Sequence, residues 1–279
     1  MISAKTKICG IFGYPVGHSL SPLMHNAAFR KLGLDYTYLA FNVAPEDLAV
    51  AVKSIRALNL AGINVTIPHK ETVIPFLDEL SQEAKDIGAV NTIVPVNCQL
   101  IGDNTDGRGF IKSLVEENKI EPRNKKVVLL GAGGAGRSIS VSLVRNGIKN
   151  LWLHDLMTDK LGKLTSDLKL LAKTGKIEKI SSRQLPEAVA AADILINATP
   201  VGMREKDPSV IDPAFLHKNL FVYDIVYNRP TALLKEAKRR GIKSANGLGM
   251  LVCQGAISFE LWTGKKAPVG IMKQALKTK

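Results

Sequence analysis

The chain has 279 residues, of which 46% are hydrophobic and 23% charged, a composition typical of a soluble globular protein with room for two domains. No apolar run has the length of a membrane span, and the polar N-terminal residues are unlike a signal peptide; three widely spaced cysteines without metal-ligand spacing predict a cytoplasmic protein with reduced thiols and no bound metal. The net charge of +13 comes from scattered lysines and arginines without a nucleic-acid-binding motif, so we expect a solvated basic surface and no nucleic-acid or membrane partner.

Strands and helices alternate in the N-terminal part of the chain, an order typical of an α/β domain. The apolar patterns predict strands at residues 8–13, 36–43, 62–67 and 89–96. Ser21 followed by Pro22 suits an N-cap and a first helical position, which predicts a helix from there to Gly33. A second helix is predicted over 45–59, with an apolar face formed by Leu48, Val52, Ile55 and Leu58.

Polar residues follow or lie on several of these strands, namely Ser19, Thr66, Lys70, Asn91 and Asp106. Functional groups in α/β sheets gather beyond the carboxyl ends of strands, so we expect these five to converge on one small polar ligand. A structural role is the alternative. Ser21 and Asp106 are suitable helix caps, and Lys70 beside Glu71 is typical of a solvated surface lysine.

A glycine-rich turn lies near the middle of the chain. Residues 127–130 are an unbroken apolar run, as in a strand covered on both faces, and a helix is predicted over 137–146. Between them, Gly131, Gly133 and Gly136 have the spacing G-x-G-x-x-G. Free backbone N–H groups and the positive helix end then meet at one point, which suits a pyrophosphate. A tight turn without a ligand is the alternative, but the strand–turn–helix context favours a dinucleotide site.

Asp155 ends the next predicted strand and lies 24 residues after Gly131. An acidic residue at about 20 residues from the first glycine binds the ribose 2′-hydroxyl of NAD, and its charge repels the 2′-phosphate of NADP. Asp155 therefore favours NAD, although Lys160 and Lys163 offset the repulsion. The alternative role for Asp155 is the N-cap of a helix that starts near Thr158.

The remaining part of the chain continues the alternation. Strands are predicted at 193–197 and 220–226, a helix is predicted over 231–240, and a long helix that carries Gln254 follows and runs to Trp262. Strands that alternate with helices after a glycine turn predict a doubly wound domain of the Rossmann type.

Seven short motifs, in this order along the chain, resemble the shikimate dehydrogenase family. They are GYPVGHSLSP (13–22), NVTIPHK (64–70), GAVNT (88–92), GDNTDG (102–107), NATPVGM (197–203), YDIVY (223–227) and GLGMLVCQ (247–254). The resemblance implies an α/β substrate domain formed by residues 1–107 and 247–279, and a Rossmann-type dinucleotide-binding domain formed by residues 108–246. It also implies a role in shikimate formation for aromatic amino acid biosynthesis.

The resemblance also implies roles for individual residues. Lys70 and Asp106 would be the catalytic pair. The substrate would be bound by Ser19, Ser21, Thr66, Asn91, Asp106, Tyr227 and Gln254. The cofactor, NADP or NAD, would contact Gly131, Ala132, Gly133, Gly134, Ala135, Gly136, Asp155, Thr199, Ile225 and Gly247. The resemblance leaves a homodimer as one alternative for the oligomeric state.

The implied chemistry suits these residue types. Reduction of the ketone of 3-dehydroshikimate places hydride on carbon and develops negative charge on oxygen. The Lys70 ammonium can stabilise that charge and deliver the proton. Hydroxyls and amides suit a ring that bears several hydroxyls and a carboxylate.

One motif departs from the family. Many members have an Asn-Arg-Thr-like box whose arginine holds the 2′-phosphate of NADP, where this chain has His154, Asp155 and Leu156. An NAD-preferring quinate/shikimate dehydrogenase is therefore the second hypothesis, and a non-catalytic metabolite sensor on the same scaffold is the third.

Overall fold

The computed structural model describes residues 2–277, and the chain divides into two compact units. The first unit comprises Met1–Gly109 and Leu251–Lys279, and the second comprises Phe110–Met250. The boundaries therefore lie at 109/110 and 250/251, where the sequence led us to expect 107/108 and 246/247.

Strands and α-helices follow one another along both units. The strands are β1 (Lys7–Gly13), β2 (Tyr36–Asn42), β3 (Gly62–Val65), β4 (Glu79–Leu80), β5 (Thr92–Val96), β6 (Gln99–Asp103), β7 (Lys126–Leu130), β8 (Asn150–His154), β9 (Lys176–Lys179), β10 (Ile194–Asn197), β11 (Phe221–Asp224) and β12 (Ser244–Asn246). The α-helices are α1 (Ser21–Lys31), α2 (Leu48–Ala57), α3 (Gln82–Ile87), α4 (Asp106–Lys112), α5 (Gly134–Arg145), α6 (Thr158–Leu171), α7 (Leu185–Ala191), α8 (Ala232–Arg239), α9 (Leu248–Thr263) and α10 (Val269–Ala275).

The sheet of the first unit is mixed and has the strand order β2-β1-β3-β5-β6-β4. The strand β1 runs parallel to β2 and β3, whereas β5 runs antiparallel to both β3 and β6. Because of these directions, β5 starts at the edge where β1, β3 and β6 end. That single edge therefore collects the residues that follow β1, β3 and β6 and the residues that precede β5.

The sheet of the second unit is parallel throughout, in the order β12-β11-β10-β7-β8-β9. Counted from β7, this is the order of the doubly wound Rossmann fold. Successive strands are added on one side of β7 as far as β9 and on its other side from β10 onward. The position between β7 and β10 is therefore the topological switch point, where such sheets bind ligands. The predicted α/β fold class, with a Rossmann-type second domain, is confirmed.

Three sequence-based assignments need correction. Ser21 is not the N-cap of α1: it is the first helical residue, it follows Leu20, and no side chain caps this helix. Leu58 does not belong to the apolar face of α2, because the helix ends at Ala57 and the Leu58 side chain is 66% exposed. The strand β6 was not predicted, because the hairpin from β5 turns at Asn97 and Cys98, two non-glycine residues with positive φ.

The cores of the two units are largely apolar, and His25 on α1 is one of the polar residues buried within the first. Its ring stacks on the Tyr38 ring with centroids 4.4 Å apart, and neither ring nitrogen has a hydrogen-bond partner among residues 2–277. Burial lowers the pKa of His25 to about 3. The imidazole is therefore neutral in the folded protein across the physiological range.

We expect His25 to make the fold sensitive to acid. The unfolded chain takes up a proton at this residue below pH ~6.5, which the folded chain does not, so stability falls as pH falls, by about 1.4 kcal/mol per pH unit. The free energy of unfolding should be measured with urea at pH 7 and at pH 5. Its decrease between the two pH values should be about 2 kcal/mol smaller in His25→Phe than in the wild type. The control His18→Gln, at an exposed histidine, should behave like the wild type. An unchanged pH dependence in His25→Phe contradicts the assignment.

No helix within the described residues is long and apolar enough to cross a membrane.

Candidate active site and cofactor site

Lys70 and Asp106 form a partly buried ion pair beyond the sheet of the first unit. The Lys70 ammonium donates to Asp106 Oδ2 at 2.6 Å, and the two side chains are only 16% and 7% exposed. Asp106 is the first residue of α4, and its backbone N–H donates to Asn104 Oδ1. The carbonyl of Lys70, on the turn after β3, accepts from the Val90 N–H at 2.7 Å. The structure thus joins the two residues expected to form the catalytic pair, and a solvated surface position for Lys70 is wrong.

Asn91 adds a third group to this pair. It precedes β5 rather than lying on it, and so stands at the edge where β3 ends. Asn91 Nδ2 donates to Asp106 Oδ1 and to Thr105 Oγ1, both at 2.9 Å, while Asn91 Oδ1 accepts from the Thr105 N–H at 2.8 Å. One oxygen of the Asp106 carboxylate therefore accepts a hydrogen bond from Lys70, and the other accepts one from Asn91.

Gln254 reaches the same cluster from α9. Its Oε1 lies 3.3 Å from Asn91 Nδ2 and 3.4 Å from Thr105 Oγ1, and its Nε2 donates to the Leu251 carbonyl at 2.9 Å. The backbone of α4 can approach the backbone of α9 this closely because residue 109 is glycine. A Cβ on Gly109 would lie 2.6 Å from the backbone nitrogen of Gln254.

Ser19, Ser21 and Thr66 lie at this sheet edge but outside the hydrogen-bonded cluster. Thr66 follows β3, and its N–H donates to the Phe12 carbonyl of β1 at 2.9 Å. Ser19 and Ser21 follow β1, and the Ser21 N–H donates to Ser19 Oγ at 3.3 Å. Across residues 2–277, no side-chain hydrogen bond connects any of the three to the ion pair. Their hydroxyls remain candidates for contact with a ligand.

In the second unit, the glycine turn joins β7 to α5, which begins slightly earlier than predicted. Gly131 has φ +104°, and a Cβ there would lie 2.8 Å from the Ala198 carbonyl oxygen. A Cβ on Gly136 would overlap the carbonyl oxygen of Gly131, whereas a Cβ on Gly133 would meet no atom within 4 Å. The N–H groups in the first turn of α5 have no partner inside the helix, which makes them available to an anion.

The Asp155 carboxylate is hydrogen-bonded to this glycine turn. Its Oδ2 accepts from the Ala132 N–H at 2.6 Å, and its Oδ1 accepts from the Met157 N–H at 2.7 Å. The alternative role as a helix N-cap is wrong, because α6 begins at Thr158 after Met157 and has no side-chain cap. Asp155 thus stands at the carboxyl end of β8 beside the glycine turn, the position of the ribose-binding acid in NAD sites.

Thr199, Ile225 and Gly247 lie at the carboxyl ends of β10, β11 and β12. Thr199 Oγ1 donates to Asn197 Oδ1 at 2.7 Å, and the Ile225 N–H donates to the Asn197 carbonyl at 3.0 Å. A Cβ on Gly247 would overlap the Ile225 carbonyl oxygen, so these two backbones touch. The three residues are therefore at the end of the sheet where the glycine turn also lies, and Thr199 is next to the switch point.

Two titratable residues lie at or just beyond the end of β11. Asp224, which sequence reasoning missed, is buried and accepts from Asn197 Nδ2, the Val226 N–H and Thr231 Oγ1 at 2.7–3.0 Å. Burial raises the pKa of this carboxyl. Tyr227, expected to bind substrate, lies in the second unit, and burial raises the pKa of its phenol. The Tyr227 hydroxyl is therefore a neutral donor at physiological pH.

Sequence reasoning also missed the buried polar residues behind Asn91. They are Asn64, Thr92, Thr105 and Ser258. Two of them carried a signal: Asn64 interrupts the apolar strand β3, and Ser258 follows Gln254 by one turn on the apolar helix α9. A polar side chain at a buried position needs partners, so such interruptions point to a network. Within residues 2–277, no three His, Cys, Asp or Glu side chains are grouped as a metal site.

Two models of protein domains match the chain. The shikimate dehydrogenase substrate binding domain matches residues 11–93, and the shikimate 5′-dehydrogenase C-terminal domain matches residues 247–277. Both matched ranges carry residues of the polar cluster, including Lys70, Asn91 and Gln254.

Whole proteins match over nearly the full length. The shikimate dehydrogenase (NADP(+)) of Desulforamulus reducens is 44% identical over 99% of this chain and 96% of the relative. A crystal structure of a shikimate dehydrogenase in complex with NADP+ is 40% identical, with a TM-score of 0.91 over 100% of this chain and 97% of the other. The shikimate 5-dehydrogenase of Listeria monocytogenes, in complex with shikimate and NAD, is 37% identical with a TM-score of 0.90, over 99% and 98% of the two chains. The chain belongs to the shikimate dehydrogenase family.

Proposed function

We propose that this chain interconverts 3-dehydroshikimate and shikimate with a nicotinamide cofactor. The observation that carries the proposal is the partly buried Lys70–Asp106 ion pair, which presents an ammonium at a sheet edge lined with amides and hydroxyls. Membership of the shikimate dehydrogenase family supports it, because relatives that cover the full chain carry that name.

Lys70 is the proton-transfer group in this proposal. In the reductive direction, the carbonyl carbon gains hydride from the cofactor, and the ketone oxygen gains a proton from the Lys70 ammonium. In the oxidative direction, neutral Lys70 takes the hydroxyl proton as hydride leaves the same carbon. Asp106 holds the lysine amine at 2.6 Å, so that the amine faces one direction rather than sampling many. The ammonium also stabilises the charge that develops on oxygen.

The other residues at this edge suit the substrate ring. Asn91 and Gln254 present amides, and Ser19, Ser21 and Thr66 present hydroxyls that are not committed to the ion pair. Hydroxyl and amide groups recognise ring hydroxyls and a carboxylate by hydrogen bonds, and a site built this way rejects analogues that lack them. We assign substrate binding to these residues together with Asp106 and Tyr227.

The second unit fits a dinucleotide. The space above Gly133 and the free N–H groups at the start of α5 suit a pyrophosphate, because a side chain at Gly133 would fill the approach. Thr199, Ile225 and Gly247 lie on the same side of the sheet, at the ends of neighbouring strands. When bound, the nicotinamide ring supplies hydride or accepts it.

The direct test is a steady-state assay of the purified protein with shikimate and quinate, each with NAD and with NADP. We expect turnover of shikimate, followed by cofactor absorbance. Tight binding of shikimate without cofactor reduction would instead support a metabolite sensor and contradict the proposal.

For the cofactor, we propose that NAD is preferred over NADP. The support is Asp155, which places a carboxylate at the end of β8 where a 2′-phosphate would come close. Replacement by Asp155→Asn should lower the ratio of kcat/KM for NAD to that for NADP by roughly tenfold, which is about 1.4 kcal/mol.

The matched control for cofactor choice is Asp159→Asn, which removes the same charge from the exposed first turn of α6. It should change the ratio little, because an exposed charge is screened. A wild-type preference for NADP, or equal ratios in Asp155→Asn and the wild type, would show that Lys160 and Lys163 outweigh the carboxylate.

Asp155 also supports a second candidate function. An NAD-preferring quinate/shikimate dehydrogenase does not need a basic residue to bind a 2′-phosphate. This chain has Asp155 where such a basic residue would lie. A kcat/KM for quinate equal to or above that for shikimate, with NAD, would favour this candidate.

A further inference from the structure

A run of buried hydrogen bonds crosses the first unit from β2 to the ion pair. The Tyr38 hydroxyl donates to Asn64 Oδ1 at 2.7 Å, and Asn64 Nδ2 donates to Thr92 Oγ1 at 3.1 Å. Thr92 Oγ1 donates to Asn91 Oδ1 at 2.8 Å, and Asn91 Nδ2 donates to Asp106 Oδ1 at 2.9 Å. All five side chains are buried.

Two backbone groups fix the direction of this run. Asn64 Nδ2 lies 3.1 Å from the Asn91 carbonyl, which can only accept, so the opposite atom of the Asn64 amide is the oxygen and accepts from Tyr38. Asn91 Oδ1 lies 2.8 Å from the Thr105 N–H, which can only donate, so this atom is the amide oxygen and Thr92 must donate to it. Every hydrogen bond in the run therefore points toward the carboxylate.

A run with one direction has a physical consequence. Each donor that is also an acceptor is polarised by its neighbour, so the bonds strengthen one another, and the last acceptor here is an anion. Three acceptors surround the two hydrogens of Asn91 Nδ2, and the two nearer, at 2.9 Å, include Asp106. The orientation of the Asn91 amide therefore decides whether Asp106 receives this bond.

We propose that Tyr38, Asn64 and Thr92 are positioning residues for the Lys70–Asp106 pair. They hold the Asn91 amide with its nitrogen toward Asp106, and so stabilise the negative charge and fix the carboxylate that orients Lys70. This inference rests on the proposed function for its kinetic readout. Lys70 is the charged group that pairs with Asp106, and the Arg108–Asp103 ion pair flanks Asp106 in the chain, at the start of α4 and the end of β6.

A role in folding alone predicts something different. Satisfied buried hydrogen bonds contribute to stability, and their loss would lower the amount of folded protein without changing how turnover depends on pH. A role in positioning predicts a change in that dependence, because the bond to Asp106 favours its ionised form.

The first test uses Thr92, where two substitutions separate the hydroxyl from the side-chain volume. Thr92→Val removes the donor to Asn91 and keeps the branched shape, while Thr92→Ser keeps the donor. For reduction of 3-dehydroshikimate, in which Lys70 acts as the ammonium and Asp106 as its ionised partner, we expect kcat of Thr92→Val to fall about tenfold, KM to change less than about threefold, and the acid limb of the kcat/KM profile to move up by about half a pH unit. Thr92→Ser should restore all three values.

A second test uses the far end of the run. Tyr38→Phe removes the hydroxyl that donates to Asn64, and should move kcat and the acid limb in the same direction by a smaller amount. Its matched control is Tyr36→Phe, which removes a hydroxyl from the same strand, where the Tyr36 ring packs on Phe29. Tyr36→Phe should leave both values at those of the wild type.

A readout without turnover completes the design. In protein labelled with ¹⁵N-asparagine, the Asn91 side-chain amide, identified by its loss in Asn91→Asp, should exchange with solvent more slowly in the wild type than in Thr92→Val. Equal exchange, or a Thr92→Val enzyme with the wild-type pH profile, overturns the inference. Wild-type protein that does not oxidise shikimate overturns the proposed function instead, and the exchange rates then decide the inference alone.

Discussion

Replacing Lys70 with alanine is expected to lower kcat for shikimate oxidation by roughly a hundredfold or more, with a smaller change in KM. The amine is the group that exchanges a proton with the substrate oxygen, so its loss acts on the chemical step more than on binding. The same substitution leaves the Asp106 carboxylate 7% exposed without its counter-charge, which we expect to lower stability by about 3 kcal/mol. Initial rates at several shikimate concentrations separate kcat from KM, and urea unfolding gives the free energy of unfolding.

Two controls separate chemistry from folding in this experiment. Lys85→Ala, at an exposed lysine on α3, should retain wild-type kcat. The double variant Lys70→Met with Asp106→Asn removes both charges, and should recover stability while remaining inactive, because a neutral pair no longer leaves a charge unpaired. Full turnover by Lys70→Ala would remove this residue from the mechanism.

Replacing Gly136 with alanine should weaken cofactor binding by roughly a hundredfold. The added Cβ would overlap the carbonyl oxygen of Gly131, so either α5 moves away from β7 or the turn changes shape. Overpacking of this kind costs about 1–3 kcal/mol, and it displaces the N–H groups proposed to hold the pyrophosphate. Titration of NAD and NADH by fluorescence gives the dissociation constants, and thermal unfolding gives the stability.

The other glycines of the second unit supply the comparison. Gly133→Ala adds a Cβ to open space, so it should leave thermal stability near the wild type while still weakening the cofactor, because the methyl group occupies the approach to the phosphates. Gly162→Ala, on α6 with no atom near the added Cβ, should keep wild-type cofactor affinity. Wild-type affinity in both Gly133→Ala and Gly136→Ala would mean that this turn does not bind the dinucleotide.

Much of the fold could be predicted because its elements carry their own patterns. The apolar run of β7, the glycine spacing and the helix after it are local features, and the strand order confirms the doubly wound sheet they indicated. The strands β4, β6, β9 and β12 were not predicted. Their sequences EL, QLIGD, KIEK and SAN are short and partly polar, and they are strands because neighbours supply hydrogen bonds.

The candidate site divides in the same way. The residue types of the site, an amine, a carboxylate and several amides and hydroxyls, could be identified from motifs along the chain. The layer behind them could be identified only in part. Asn64 interrupts an apolar strand, whereas Tyr38 and Thr92 lie in segments whose local pattern indicates only strand. Their common role depends on which strands pair and on the direction of each.

The sequence alone determined the chemistry that is available and the local turns that present it, because glycine turns and apolar periodicity act over a few residues. The tertiary structure decided that residues 36 positions apart meet at 2.6 Å. It also placed Asn91 at the start of an antiparallel strand, beside the ends of β3 and β6. The physical reason is that strand pairing and burial, which bring distant segments together, depend on the whole sheet and not on the local spacing of the residues involved.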